Sequence, residues 1–282
     1  MASHPQTPPV LFDRALLARR QRRARAQGAV TFLLDRVDED MSDRLAAVKR
    51  DFREVADVWT PGDGLSAPRA RFSSVQRIEL DASGKEALPF APETLDLVAS
   101  ALALQFVNDL PGVLAQLRRA LRPDGLLLAA MIGGDSLTEL RQAFAAAEAE
   151  CEGGISPRVA PFADLRDVGA LLQRAGFALP VTDVDRVVVR YANALALMQD
   201  LRHMGAANVL IERRRTPSRR ATLLRMAEIY AERFSDPDGR IRATFDVIWL
   251  SGWAPHASQQ QPLKPGSAKA SLAEAVRKAG KD

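Results

Sequence analysis

The chain has 282 residues, 47% hydrophobic and 26% charged, enough to bury one sizeable core, or a domain with a helical appendage. Cys151 is the only cysteine, which excludes an intrachain disulfide and argues against a thiolate metal cluster. No apolar run reaches the roughly 18 residues that cross a bilayer, and the start has no hydrophobic signal core, so a soluble protein in a reducing compartment is expected.

The net charge of +4 is modest, but arginines concentrate at Arg14, Arg19, Arg20, Arg22, Arg23 and Arg25 and again over residues 213–220. Such clusters suit an acidic partner, and equally the solvated faces of helices in a chain rich in Arg and Ala. The first cluster has the basic look of an organelle transit peptide, which Asp13 and the lack of nearby serines oppose. A basic RNA-binding helix is a third reading, and it is not favoured.

In chain order, residues 1–9 read as a polar, disordered lead. Phe12, Leu16 and Leu17 mark one side of a first helix, and apolar positions from Val30 to Val48 mark further helix, together a lid or pedestal. Strands are expected over 54–58 and 75–80, separated by the turn-rich Thr60-Pro61-Gly62-Asp63-Gly64. A buried strand at 95–99 and an amphipathic helix over 113–121 follow, stopped by Arg122-Pro123-Asp124-Gly125. The continuous apolar run 126–131 fits a parallel strand covered on both faces.

Gly133-Gly134 ends that strand, and Ser136 with Glu139 has the spacing of a capping box opening a helix to about residue 150. A helix over 165–175 starts behind Asp164 and closes at Gly176. Then come a strand at 181–189, helices over 194–204 and 220–234, a turn at 236–239 and a strand at 244–250. This order predicts an α/β fold: a doubly wound, mostly parallel sheet with a helical N-terminus and a helical insertion before the last strand. The expected segments are a lead at 1–10, a helical segment at 11–50, a domain at 51–255 with its insertion at 192–240, and a polar tail at 256–282.

Several motifs carry a family resemblance. Leu88-Pro89-Phe90, Asp96-Leu97-Val98, the stretch 102–111 and Leu121-Arg122-Pro123-Asp124-Gly125 resemble the central part of class I, Rossmann-like methyltransferases such as malonyl-carrier-protein methyltransferase. Phe12-Asp13-Arg14, the stretch 133–141, Glu152-Gly153-Gly154-Ile155-Ser156-Pro157, the stretch 200–205, Gly252-Trp253 and Gly266-Ser267-Ala268 are similar to the methyltransferase-fold assembly factors of respiratory complex I and their bacterial relatives. The likeness covers residues 12–272. It implies a protein substrate in the peripheral arm of complex I, modified at an arginine by hydroxylation in the family's proposed reaction, and a bacterial cytoplasm ahead of a mitochondrial matrix.

The resemblance also implies S-adenosylmethionine as cofactor, with Asp57, Gly62, Gly64, Asp81, Leu88, Leu104 and Gln105 as the matching positions. In that pattern an acidic residue ends the first strand and a glycine-rich turn leads into a helix whose N-terminus favours the ligand carboxylate. Asp57 is in place, but Trp59 stands where the first glycine belongs, and Pro61 removes an N–H donor. Gly62 and Gly64 serve either a binding loop or an ordinary turn. Too few residues separate Gly64 from Val75 for a full crossover helix, so one strand and one helix of the first half of the sheet are missing or reduced. Asp81 is a ribose or adenine contact or else a strand-end turn carboxylate, and Gln105 lines the methyl-transfer side or is a polar strand terminus.

No catalytic residue is identifiable. His203 and His256 are far apart and lack ligand spacing, so no metal site is expected. Asp135, Glu139 and Arg141 follow the carboxyl end of a strand, where they either position a guanidinium substrate or serve a helix cap. A non-catalytic binding factor with a degenerate cofactor site is the rival to the enzyme.

Overall fold

The computed structural model describes residues 10–260. The expected lead over 1–9, most of the expected tail and the Gly266-Ser267-Ala268 motif lie outside the described residues. Six strands form one sheet in the order β2-β1-β3-β4-β6-β5. They are β1 (Val55–Val58), β2 (Val75–Ile78), β3 (Leu95–Ala101), β4 (Leu121–Gly133), β5 (Ala178–Tyr191) and β6 (Ile241–Trp253). The pairs β1–β2, β1–β3 and β3–β4 are parallel. Strand β6 runs antiparallel to both of its neighbours, β4 and β5. The expected α/β fold with a doubly wound, mostly parallel sheet is therefore observed.

The apolar run of β4 shows why the sheet is covered twice. Successive strand side chains point to opposite faces, and Leu126, Leu128, Ala130 and Ile132 enter one apolar cluster while Leu127, Ala129 and Met131 enter another. The first cluster holds residues of α2 (Phe32–Ala47), α5 (Thr138–Glu152), α7 (Ala194–His203) and α8 (Arg220–Phe234). The second holds α4 (Leu110–Ala120) and α6 (Leu165–Arg174). Helix α1 (Arg14–Ala26) is capped by Asp13, which accepts from the Leu16 N–H at 2.9 Å. Leu17 of α1 packs in a third cluster with Phe12, Phe106, Val209 and Leu210, so α1 binds the 205–210 segment beyond α7 to the edge of the sheet.

The first half of the sheet is shortened. Only the six-residue helix α3 (Ser66–Arg71) links β1 to β2, and no helix or strand lies between Ile78 and Leu95.

Two local expectations are corrected. Arg122-Pro123-Asp124-Gly125 does not separate α4 from the next strand. Strand β4 begins at Leu121, pairs Leu95 with Leu121 and resumes at Leu97 with Leu126, and the four residues bulge between these pairs. The end of β6 holds the bulge in place, because Asp124 N–H donates to Ala254 O at 3.0 Å and Ala254 N–H donates to Gly125 O at 2.8 Å. Ser136 and Glu139 do not form a capping box. Leu137 precedes α5 with φ 55°, and no side chain caps that helix. Ser136 Oγ donates to Gly133 O at 2.6 Å and accepts from Asp246 N–H at 2.8 Å, while the Glu139 carboxylate accepts from the Thr244 hydroxyl at 2.5 Å. Both side chains are committed to β6 instead.

Candidate functional site

In a doubly wound sheet, ligands gather at the carboxyl ends of the parallel strands. At that edge Asp57 is the next-to-last residue of β1 and is 2% exposed. Its Oδ2 accepts from Leu65 N–H at 2.8 Å, while Oδ1 is buried without a partner. Burial pushes the Asp57 carboxyl above the usual carboxylate range, against hydrogen bonds from Thr60 and Leu65. Trp59 follows with φ 60°, a left-handed conformation suited to glycine. Its N–H donates to Ile78 O at 2.7 Å, and its indole is buried.

The space above that indole is filled. Arg14 of α1, 4% exposed, lays its guanidinium 4.3 Å from the Trp59 ring centroid. It reaches Phe106 O at 3.4 Å and Glu86 at 3.5 Å, while Nε and one terminal nitrogen have no hydrogen-bond partner. Burial lowers the Arg14 pKa, with Glu86 and Asp81 acting in the opposite direction. The rest of the loop is pinned as well. Gly62 O accepts from Arg77 at 2.5 Å and from Arg25, and a Cβ on Gly64, at φ +79°, would run into the Asp57 carboxylate.

Helix α3 follows this loop, and its first amides are already used. Asp38 of α2 accepts from Ser66 N–H and Ala67 N–H, each at 3.0 Å, and also from the Ser66 hydroxyl. With Leu65 N–H on Asp57, the three amides at the start of α3 that would meet the carboxylate of a cofactor are committed to side chains of this chain. The residues present do not fit S-adenosylmethionine in the position this fold gives it.

The other expected cofactor residues are dispersed. Asp81 is exposed and held within its own turn by the Ser83 hydroxyl at 2.7 Å and Gly84 N–H at 2.9 Å. Leu88 N–H donates to Gln116, and its side chain packs with Leu104 in the α4 face of the core. Gln105 donates to Leu102 O at 2.8 Å.

A cavity of about 770 Å³ opens beside this region, roofed by α1, the start of α2, α7 and the segment 206–218. Of the expected cofactor positions, only Gly62 and Gln105 border it. Its floor is apolar, with Leu102, Phe106, Leu140 and Phe144 among its residues, and its lining includes Arg20, Arg158, Arg202, Arg213, Arg214 and Arg215.

The expected substrate residues lie elsewhere. Asp135 is exposed beside Arg186 at 3.1 Å, Glu139 is committed to Thr244, and Arg141 donates to Ala160 O at 2.9 Å. Arg141 borders a separate cavity of about 210 Å³. Among the described residues no three His, Cys, Asp or Glu side chains converge as a metal-binding group, and no helix is long and apolar enough to cross a membrane. Sequence reasoning missed the cavity arginines as a site, although Arg20 and Arg213 to Arg215 lie in visible clusters. It also missed Asp38 and Arg14, whose partners lie far along the chain.

A family model described as a methyltransferase domain matches residues 45–129. The mitochondrial arginine hydroxylase NDUFAF5 of Rattus norvegicus is 36% identical over 289 residues, covering 95% of this chain and 84% of that protein. Its Danio rerio counterpart is 43% identical over 197 residues, 70% of this chain and 61% of that protein. Malonyl-[acyl-carrier protein] O-methyltransferase of Laribacter hongkongensis is 42% identical over 181 residues, 64% of this chain and 58% of that protein. The last two alignments span less than two thirds of those proteins' length. Among solved structures, the YcgJ protein of Bacillus subtilis superposes with a TM-score of 0.52 at 12% identity, covering 78% of this chain and 99% of that one, a likeness of fold.

Proposed function

The chain belongs to the family of the arginine hydroxylase NDUFAF5, and we propose that it serves respiratory complex I assembly by binding a protein target, without S-adenosylmethionine. The observation that carries the reading is the closed cofactor position: Arg14 stacked on Trp59, with the α3 amides held by Asp38 and Asp57. Opening it would expose a buried guanidinium–indole contact and unpair several backbone donors, each costly to leave unmade. The methyltransferase fold then acts as a scaffold, since fold alone does not dictate chemistry. The target is a subunit of the complex I peripheral arm, and the location is the bacterial cytoplasm.

A second reading is a methyltransferase-type enzyme acting on a protein. It is favoured by the cavity bordered by Gly62 and Gln105, which places open space next to the former cofactor loop. The assembly role is tested by deleting the gene and quantifying intact NADH–quinone oxidoreductase on native gels. A marked loss, restored by the natural chain, is expected; an unchanged level would overturn the role.

A further inference from the structure

The large cavity has a one-sided chemistry that the assembly role does not explain. Six arginines line it, and no Asp or Glu does. Three of them have carboxylate partners that do not line the cavity: Arg158 on Glu148, Arg213 on Asp13 at 3.4 Å, and Arg214 on Glu152. The other three have none among the described residues. Arg20 donates to Asn208 O, while the side chains of Arg202 and Arg215 make no hydrogen bond or ion pair with any described residue. Burial lowers the Arg20 pKa, and the neighbouring cations Arg213 and Arg202 lower it further, with Asp13 acting against them.

Beneath the arginines the floor is hydrocarbon. Leu34, Leu102, Phe106, Leu140, Phe144 and Phe162 come from four different parts of the chain to form it. A volume of about 770 Å³ falls in the range of small-molecule sites. A guanidinium entering here would meet like charges and no carboxylate. A planar anion would meet forked donors of matching geometry.

We propose that this cavity binds a small amphipathic anion, a carboxylate or phosphate head on an aliphatic body, with the arginine lining, Arg202 and Arg215 among it, receiving the head and the apolar floor receiving the chain. The proposal goes beyond the assembly role and does not depend on it. The head group displaces only water from two uncommitted guanidinium groups, and the chain removes apolar surface from water on both sides.

The test is calorimetric titration of the full chain, below micellar concentrations, with decanoate and with decyl phosphate, the two arms separating carboxylate from phosphate heads. Decylguanidinium, inorganic phosphate and an oligoglutamate peptide complete the set. Saturable binding of at least one anionic amphiphile is expected, weakened about tenfold or more in the Arg202→Gln/Arg215→Gln double variant. The variant's thermal midpoint should match the natural chain, because neither side chain has a partner to lose. The proposal is overturned if decylguanidinium binds as well as the anions, if inorganic phosphate alone equals decyl phosphate, if only the peptide binds, or if the double variant binds unchanged.

Discussion

Replacing Trp249 by alanine should lower stability by about 3–5 kcal/mol, near the upper end for a single core substitution. The side chain is 1% exposed on β6 and faces the cluster that joins α2, α5 and α8 to the sheet. The Arg44 guanidinium of α2 lies 4.2 Å from its ring centroid, and Arg44 is itself held by both oxygens of Asp183 on β5, at 2.8 and 2.9 Å. Removing the indole therefore leaves a cavity and also loosens the contact that docks α2 on the sheet. Its Nε1 has no hydrogen-bond partner, so Trp249→Phe should cost less than half as much. Urea unfolding followed by circular dichroism measures both, and an alanine variant within about 0.5 kcal/mol of the natural chain would refute the packing account.

Glu148→Ala should cost about 3 kcal/mol, because it strips the carboxylate from a buried charge pair and leaves the partner behind. Glu148 is 1% exposed on α5 and accepts from Ser156 N–H at 2.6 Å, Ser156 Oγ at 2.7 Å and Arg158 Nε at 2.7 Å. It thus fixes both the Gly153-Gly154 turn and one arginine of the cavity. Burial pushes the Glu148 carboxyl up, but the hydrogen bonds from Ser156 and Arg158 outweigh it, and the net pKa is lowered. Asp246 follows the same balance: burial raises it, and Arg186 with Asp135 N–H bring it below its ordinary value.

A carboxyl lowered in the folded state favours the ionised form there. The stability it confers is full above the unfolded value, about 4, and is lost as pH falls from there through the lowered folded value. Denaturant midpoints should accordingly fall from about pH 5 downward, and Glu148→Gln should flatten part of that fall. An equally steep acid limb in that variant would show that Glu148 contributes nothing to it.

Much of the fold was legible because its signals are local. The alternating fate of Leu126 to Met131, the Asp164 cap and the left-handed Gly176 at φ +83° follow from periodicity and turn chemistry. The shortened first half was also legible, since the distance from Gly64 to Val75 bounds what can fit between them. The site was less so. Asp38 caps α3 from 28 residues away, and Arg14 meets Phe106 across 92 residues. Spacing rules do not see such contacts, and within its basic cluster Arg14 resembles its solvated neighbours. Ser136 and Glu139 failed in the opposite sense. Their local pattern was genuine, but Asp246 and Thr244 on β6, more than 100 residues away in sequence, are the partners they take.

The arginines of the cavity stand between these cases. Arg20 and Arg213 to Arg215 lie in the clusters over 14–25 and 213–220, which were plain, whereas Arg158 and Arg202 stand outside them, and the convergence of all six on one apolar floor depends on how distant segments pack together.

Calorimetric titration of the purified protein with S-adenosylmethionine and S-adenosylhomocysteine tests most directly whether the position this fold gives the cofactor is closed by Arg14, Trp59 and Asp38. No saturable heat is expected from either compound up to millimolar concentrations. Reproducible binding at micromolar affinity would contradict it, because Arg14, Trp59 and Asp38 would then have to leave the positions that close the site.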